Sequence, residues 1–279
     1  MPNYGYHLAR AEGQAIRRAY AAALPLIVRQ PIRPRKELPF EVFSYSGEAD
    51  LPEQVASVRS LLRHAGRPQK FTVVSDGTHS ARSLALLEAL DESVAVSSAG
   101  EWLPDDVPAR FRAYLREHPT GKQLAVIMGL PVHAPALYID SDVRFFAGAH
   151  QLTAALRVDR APASYLSDCE LSADARLFRA ADETVNPVNT GVLFLREKLD
   201  WSASISRFLE LDGAPTFFTN QTMTHLTMHA NAATALDPRK FVLQLDDQFI
   251  YADGHAGADL VLRHYVNPVR HKFWTALRH

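Results

Sequence analysis

From residue 40 onward, short apolar runs alternate with segments whose apolar positions recur at helical spacing. Phe40–Tyr45 reads as a strand, and Glu53–His64 places Val55, Val58, Leu61 and Leu62 on one helical face. Phe71–Ser75 is a second strand running into the turn Asp76-Gly77, Ala81–Leu90 is helical, and Ser93–Ser97 is a third strand. This strand-helix rhythm predicts a parallel sheet with helices on its faces. Helices over Pro104–Glu117 and Gly121–Leu130 follow, with Pro131 and Pro135 stopping the second. The strand Ala136–Ile139 then ends in Asp140-Ser141-Asp142. Beyond it the alternation weakens: Val143–Phe146 is short and apolar, Ala161–Asp182 polar and irregular, and Val188–Leu195 a clear strand. Helices at Ser202–Leu211 and Asn220–His229, a strand at Phe241–Leu245 and a run Leu260–Trp274 rich in His, Arg and Lys complete the pattern. The expected class is α/β, a mostly parallel Rossmann-type sheet flanked by helices with a mixed C-terminal half.

The first 38 residues differ from the rest. The apolar run Ala19–Val28 contains Pro25 and lies between Arg17-Arg18 and Arg29, too short to span a bilayer. It reads as a packing helix, with a basic amphipathic helix in weak contact with a membrane surface as the alternative. Arg29–Pro39 has three prolines and four cations, an extended connector. The expected division is therefore 1–38, N-terminal helix and connector, and 39–279, a single domain. With 30 Lys and Arg against 31 Asp and Glu, the chain lacks the broad cationic field that nucleic acid demands. Its one cysteine, Cys169, allows neither an intramolecular disulfide nor a cysteine-rich zinc site, and a cytoplasmic location is expected.

Asp140 and Asp142 flank one residue directly after an apolar strand, and two carboxylates so close need a cation. A divalent Mg²⁺ or Mn²⁺ held by oxygen ligands meets that need, whereas a solvated Asp-Ser-Asp turn is the bland alternative. In open parallel sheets ligands bind outside the carboxyl ends of the strands, where Ser44, Tyr45, Asp76 and the two aspartates would fall together. Asn189, in the turn Asn-Thr-Gly, offers an amide to a sugar hydroxyl and Gly191 allows close approach.

The segment Ala136–Phe146 resembles the DxD segment of nucleotide-sugar-dependent glycosyltransferases with the type A (GT-A) fold, closest to the retaining family 8, the glycogenin and galactosyltransferase-like group. Other segments agree in order: Gly121-Lys122-Gln123-Leu124; Asn189–Leu195, similar to the family's Asn-Ser/Ala-Gly-Val strand; and Asn220-Gln221, where the family often has Asp-Gln. His264-Tyr265, Pro268 and Lys272-Phe273-Trp274 are similar to its His-Phe…Lys-Pro-Trp element. Two departures stand out. The family's lysine, six residues after its metal-binding histidine, is here Arg270, and Asn220 replaces an acidic residue.

The resemblance implies sugar transfer from a nucleotide diphosphate sugar, a UDP-sugar being favoured, to an unidentified acceptor with retention of configuration. Asp142 and His264 would ligate the metal and Asp140 would touch both metal and donor, the imidazole favouring Mn²⁺ over Mg²⁺. Ser44, Tyr45 and Asp76 would receive base and ribose. Lys122 with Arg270 or Lys272 would clamp the diphosphate, and Asn189, Gln221 and Asp168 would surround the sugar. A haloacid dehalogenase-type phosphatase using Asp140 as nucleophile, with Lys240 and Asp246-Asp247 downstream, is the rival enzyme, although such motifs normally lie near the amino end. A catalytically silent nucleotide-sugar-binding protein is a third reading.

Overall fold

The computed structural model describes residues 4–157, 160–247 and 254–278. Helix α1 (Tyr4–Ile27) leads through the connector into β1 (Glu41–Ser46), α2 (Leu51–His64), β2 (Phe71–Ser75), α3 (Ala81–Glu88) and β3 (Val94–Ser98). Helices α4 (Ala109–Glu117) and α5 (Pro119–Met128) precede β4 (Ala136–Ile139), β5 (Val143–Phe145), α6 (Leu152–Arg157), β6 (Ala163–Ser167) and β7 (Val188–Leu195). Then come α7 (Ser202–Leu209), α8 (Thr219–Ala230), β8 (Thr234–Ala235), β9 (Phe241–Val242), β10 (Leu262–His264) and α9 (Lys272–Thr275). Both α4 and α5 start at prolines, Pro108 as cap and Pro119 inside the first turn, where a missing N–H costs nothing. That is why α4 begins later than the apolar spacing suggests and α5 earlier.

Seven strands form the central sheet in the order β8-β6-β7-β4-β1-β2-β3. Strands β4, β1, β2 and β3 run parallel, as the β-α rhythm requires, while β7 lies antiparallel between β4 and β6. The stretch Ala161–Asp182, expected to be irregular, contains the buried strand β6. Ser164 and Ser167 interrupt its apolar run, and Ser164 is tolerated inside because Arg196 and Thr234 bond its hydroxyl. A small second sheet, β9-β10-β5, sets β10 antiparallel to β5, with His264 opposite Val143. The expected strand Phe241–Leu245 pairs only at its first two residues.

The two largest core clusters lie on opposite faces of the sheet, and α2 packs in one of them except for Ala56, which joins a third, smaller cluster with Tyr265, Phe273 and Trp274. Every α2 residue from Leu51 to Leu62 is buried, Glu53, Gln54 and Arg59 included, because α1 covers its outer side. Arg17 of α1 bonds both carboxylate oxygens of Glu53 at 2.6 and 2.9 Å, and Tyr20 packs on Trp274 with ring centroids 5.2 Å apart. A Cβ on Gly13 would lie 2.4 Å from the carbonyl oxygen of His271, so α1 can approach α9 this closely only with glycine there. Among the described residues no helix is long and apolar enough to cross a membrane.

Candidate active site

The sheet brings chemistry to one edge. Strands β1, β2, β4 and β6 all end there and β7, running the other way, begins there, so Tyr45, Asp76, Asp140, Asp168 and Asn189 converge. The pairing of β10 with β5 adds His264, 122 residues after Asp142 in the chain, with the Tyr265 amide donating to the Asp142 carbonyl at 3.1 Å. Asp140, Asp142, Asp168, Asn189 and His264 face a cavity of about 440 Å³.

Asp140, Asp142 and His264 offer ligand atoms that lie within 4.8 Å of one another. His264 Nε2 is 3.0 Å from Asp142 Oδ1 and 3.6 Å from Asp140 Oδ2. Its tautomer is set from behind. Asn189 gives its amide hydrogen to Asp168 at 3.1 Å and its Oδ1 accepts from the Gly191 amide at 2.9 Å, which turns Oδ1 toward His264 Nδ1, also at 2.9 Å. Nδ1 therefore carries the proton, and the Nε2 lone pair points at two carboxylates. That arrangement is repulsive until a proton or a cation sits between them, and a nitrogen with two carboxylates is a donor set that suits a divalent metal.

The charges agree. Burial, with the neighbouring Asp142, raises Asp140 above the ordinary carboxylate range despite the imidazole. For Asp142 burial is outweighed by His264 and Arg270, which hold it low, and for His264 burial is outweighed by the two aspartates, which raise it. Arg270 Nε is 3.5 Å from Asp142 while its guanidinium also binds Asp50 at 2.6 Å, so it stands beside the cluster.

Two further groups hold Asp140, and motif reading did not find them. Gln123 of α5 and Tyr138 of β4 both donate to Asp140 Oδ1, at 2.8 and 3.0 Å, and Asn220 in turn donates to Gln123 at 2.8 Å. Strand alternation was the available signal for Tyr138, which lies two residues before Asp140 and so on the same face. Gln221 spends both amide hydrogens on Asp168 and the Ser172 carbonyl, each at 3.0 Å, leaving its Oε1 as the group it can offer the cavity. Tyr45, Asp76 and Lys122 meet at the ends of β1 and β2, with Lys122 Nζ 3.3 Å from the Asp76 carbonyl and the Tyr45 hydroxyl 3.4 Å from that of Pro119.

Two expected site residues lie elsewhere. Ser44 is fully buried on the opposite face of β1, donating to Gln54 Oε1 at 2.8 Å, because neighbours on a strand cannot both face one cleft. Lys272 is buried against Asp247, 3.4 Å away, so it cannot clamp a diphosphate in the cavity. Arg263 holds the same carboxylate at 2.8 Å, so Asp247 is already paired with two cations.

No protein-family profile matches the sequence, and no curated protein matches it. Solved structures do. The chain is similar to the galactosyltransferase LgtC in complex with donor and acceptor sugar analogues, at 12% identity over 86% of this chain and 93% of that one, TM-score 0.55. It is similar to mouse xyloside xylosyltransferase 1 at 13% identity over 84% and 99%, TM-score 0.56. Its likeness to the bifunctional glycosyltransferase WbbM, at 13% identity and TM-score 0.55, covers 88% of this chain and 50% of that one. The chain has the GT-A fold of these glycosyltransferases, an α/β architecture with a mostly parallel central sheet.

Proposed function

We propose that this protein is a metal-dependent glycosyltransferase that moves a sugar from a nucleoside diphosphate sugar, with uridine as the nucleoside, to an acceptor with retention of configuration. The observation that carries the reading is the cluster of Asp140, Asp142 and His264 with its proton fixed by Asn189, set at the strand ends of a glycosyltransferase fold. Mn²⁺ is the metal of choice for two carboxylates and an imidazole. When bound it supplies positive charge to the diphosphate that leaves. Tyr45 and Asp76 border the place for base and ribose, and Lys122 and Arg270 stand on either side of the diphosphate path. Asn189, Asp168 and Gln221 face the sugar, where the Gln221 carbonyl oxygen meets positive charge developing at the anomeric carbon. The bond from that carbon to the diphosphate oxygen breaks with its electron pair leaving on the diphosphate, and the acceptor oxygen bonds the same carbon as its proton passes to that departing diphosphate oxygen. The single exposed cysteine fits work in the cytoplasm.

Thermal unfolding with a panel of nucleoside diphosphates, each with Mn²⁺ and with chelator, tests this reading. A nucleotide at a hundredfold its Kd stabilises by about 2.7 kcal/mol, which is several degrees for a chain of this size. The expected result is a shift with the uridine nucleotide that needs metal and vanishes in Asp142→Asn. If no nucleotide moves the midpoint in the presence of metal, the donor-site reading fails.

A further inference from the structure

The face of α1 turned away from the molecule has no role in sugar transfer. Tyr4, Leu8 and Leu26 are 72, 59 and 65% exposed, three of the seven large apolar side chains exposed among the described residues. Ala11, Ala15 and Ala22, also exposed, join them at steps of three, four and seven residues into one stripe along the helix. Beside it Arg18 and Arg29, and on the connector Arg33 and Arg35, are exposed, and none of the four pairs with an acid among the described residues. Residues 1–36 hold seven Lys and Arg against the single acid Glu12, a net of +6, so the remainder of this chain, whose total is −1, carries −7.

We propose that α1 and its connector are a docking face for an anionic lipid bilayer, the helix lying in the plane of the membrane surface. An apolar stripe with cations along it is the pattern of an interfacial helix. A second copy of the chain fits less well. A stable dimer needs roughly 800 Å² from each partner with a core poor in charge, whereas half of this stripe is alanine and it would need a carboxylate placed for each of four arginines. A bilayer supplies mobile anions to all of them at once. The opposite face of α1 packs on His271, and Arg10 and Gln14 share a cavity of about 400 Å³ with Asn267 and Arg270, two residues that also line the donor cavity. Docking through α1 would therefore hold the cleft at a fixed height above the lipid. None of this rests on the donor reading.

Sedimentation of the full chain with vesicles of phosphatidylcholine alone, or of equal parts phosphatidylcholine and phosphatidylglycerol, decides it. The expected result is binding to the mixed vesicles only, reversed by high salt. At roughly fivefold for each arginine near the surface, the triple variant Arg18→Gln, Arg29→Gln, Arg33→Gln lowers partitioning about a hundredfold while keeping the wild-type unfolding midpoint. Leu8→Asp with Leu26→Asp also weakens binding. Absence of binding to the mixed vesicles, or equal binding by the triple variant, overturns the proposal. So does a lipid-free dimer that the Leu8 and Leu26 changes dissociate, since that result assigns the face to a second copy.

Discussion

Gly191 shows how tightly the cluster of Asp140, Asp142 and His264 is built. A Cβ there would lie 2.2 Å from His264 Cε1, so any side chain pushes the imidazole off its two aspartates. Gly191→Ala is expected to lose the metal-dependent nucleotide shift and about 1–3 kcal/mol of stability through overpacking, read by thermal unfolding with and without Mn²⁺. Asn189→Ala leaves His264 Nδ1–H without its acceptor and frees the ring to take the wrong tautomer. Metal affinity should fall roughly 10–100-fold, as for other partners that orient ligands, checked by Mn²⁺ titration at fixed nucleotide. A variant that binds metal as tightly as the wild type would sink the orienting role. At this scale Asp140 and Asp142 were legible because they share a tripeptide. His264 was legible only through a family likeness, since nothing local marks one histidine among 12 as a ligand. Gln123 and Tyr138 bind a ligand's far oxygen, a role that leaves no signature in spacing, and Ser44 was assigned to the wrong face of its strand.

Among the elements, α1, α2 and α9 meet at one carboxylate. Glu53, 2% exposed, accepts from Arg17 at 2.6 and 2.9 Å and from the indole N–H of Trp274 at 3.2 Å. Glu53→Ala should cost about 1–3 kcal/mol, the penalty for unsatisfied buried donors, kept modest because Arg17 is about one-third exposed and can turn to water. A urea midpoint unchanged from wild type would show that the three elements do not depend on this group. The sequence predicts α1 as a helix, but not its docking, because Glu53 lies 36 residues from Arg17 and Trp274 a further 221 residues along. The parallel strands β1, β2 and β4 were legible from continuous apolar runs. Strand β6 was not, because its serines are satisfied by side chains from other elements and the local pattern therefore reads as loop.

The whole molecule meets acid through its buried histidines. Burial, reinforced by Arg144, Arg63 and Arg35, pushes His64 down to about 4, and burial also lowers His79, His225 and His271. Each resists a proton that the unfolded chain accepts near 6.5, so between about 4 and 6.5 the unfolded state binds more protons and stability falls as pH falls. Denaturation midpoints should drop across that window before most carboxylates titrate, and His64→Asn should flatten part of the slope; an unchanged slope would remove His64 from the account. The molecule also has an order in time. The central sheet is complete by residue 235, yet the imidazole that joins Asp140 and Asp142 belongs to residue 264. During synthesis the strands and their two aspartates leave the ribosome first and stand as an unfinished cluster until β10 pairs with β5. The three-residue cluster is thus withheld from the nascent chain and assembled only when its closing segment has docked.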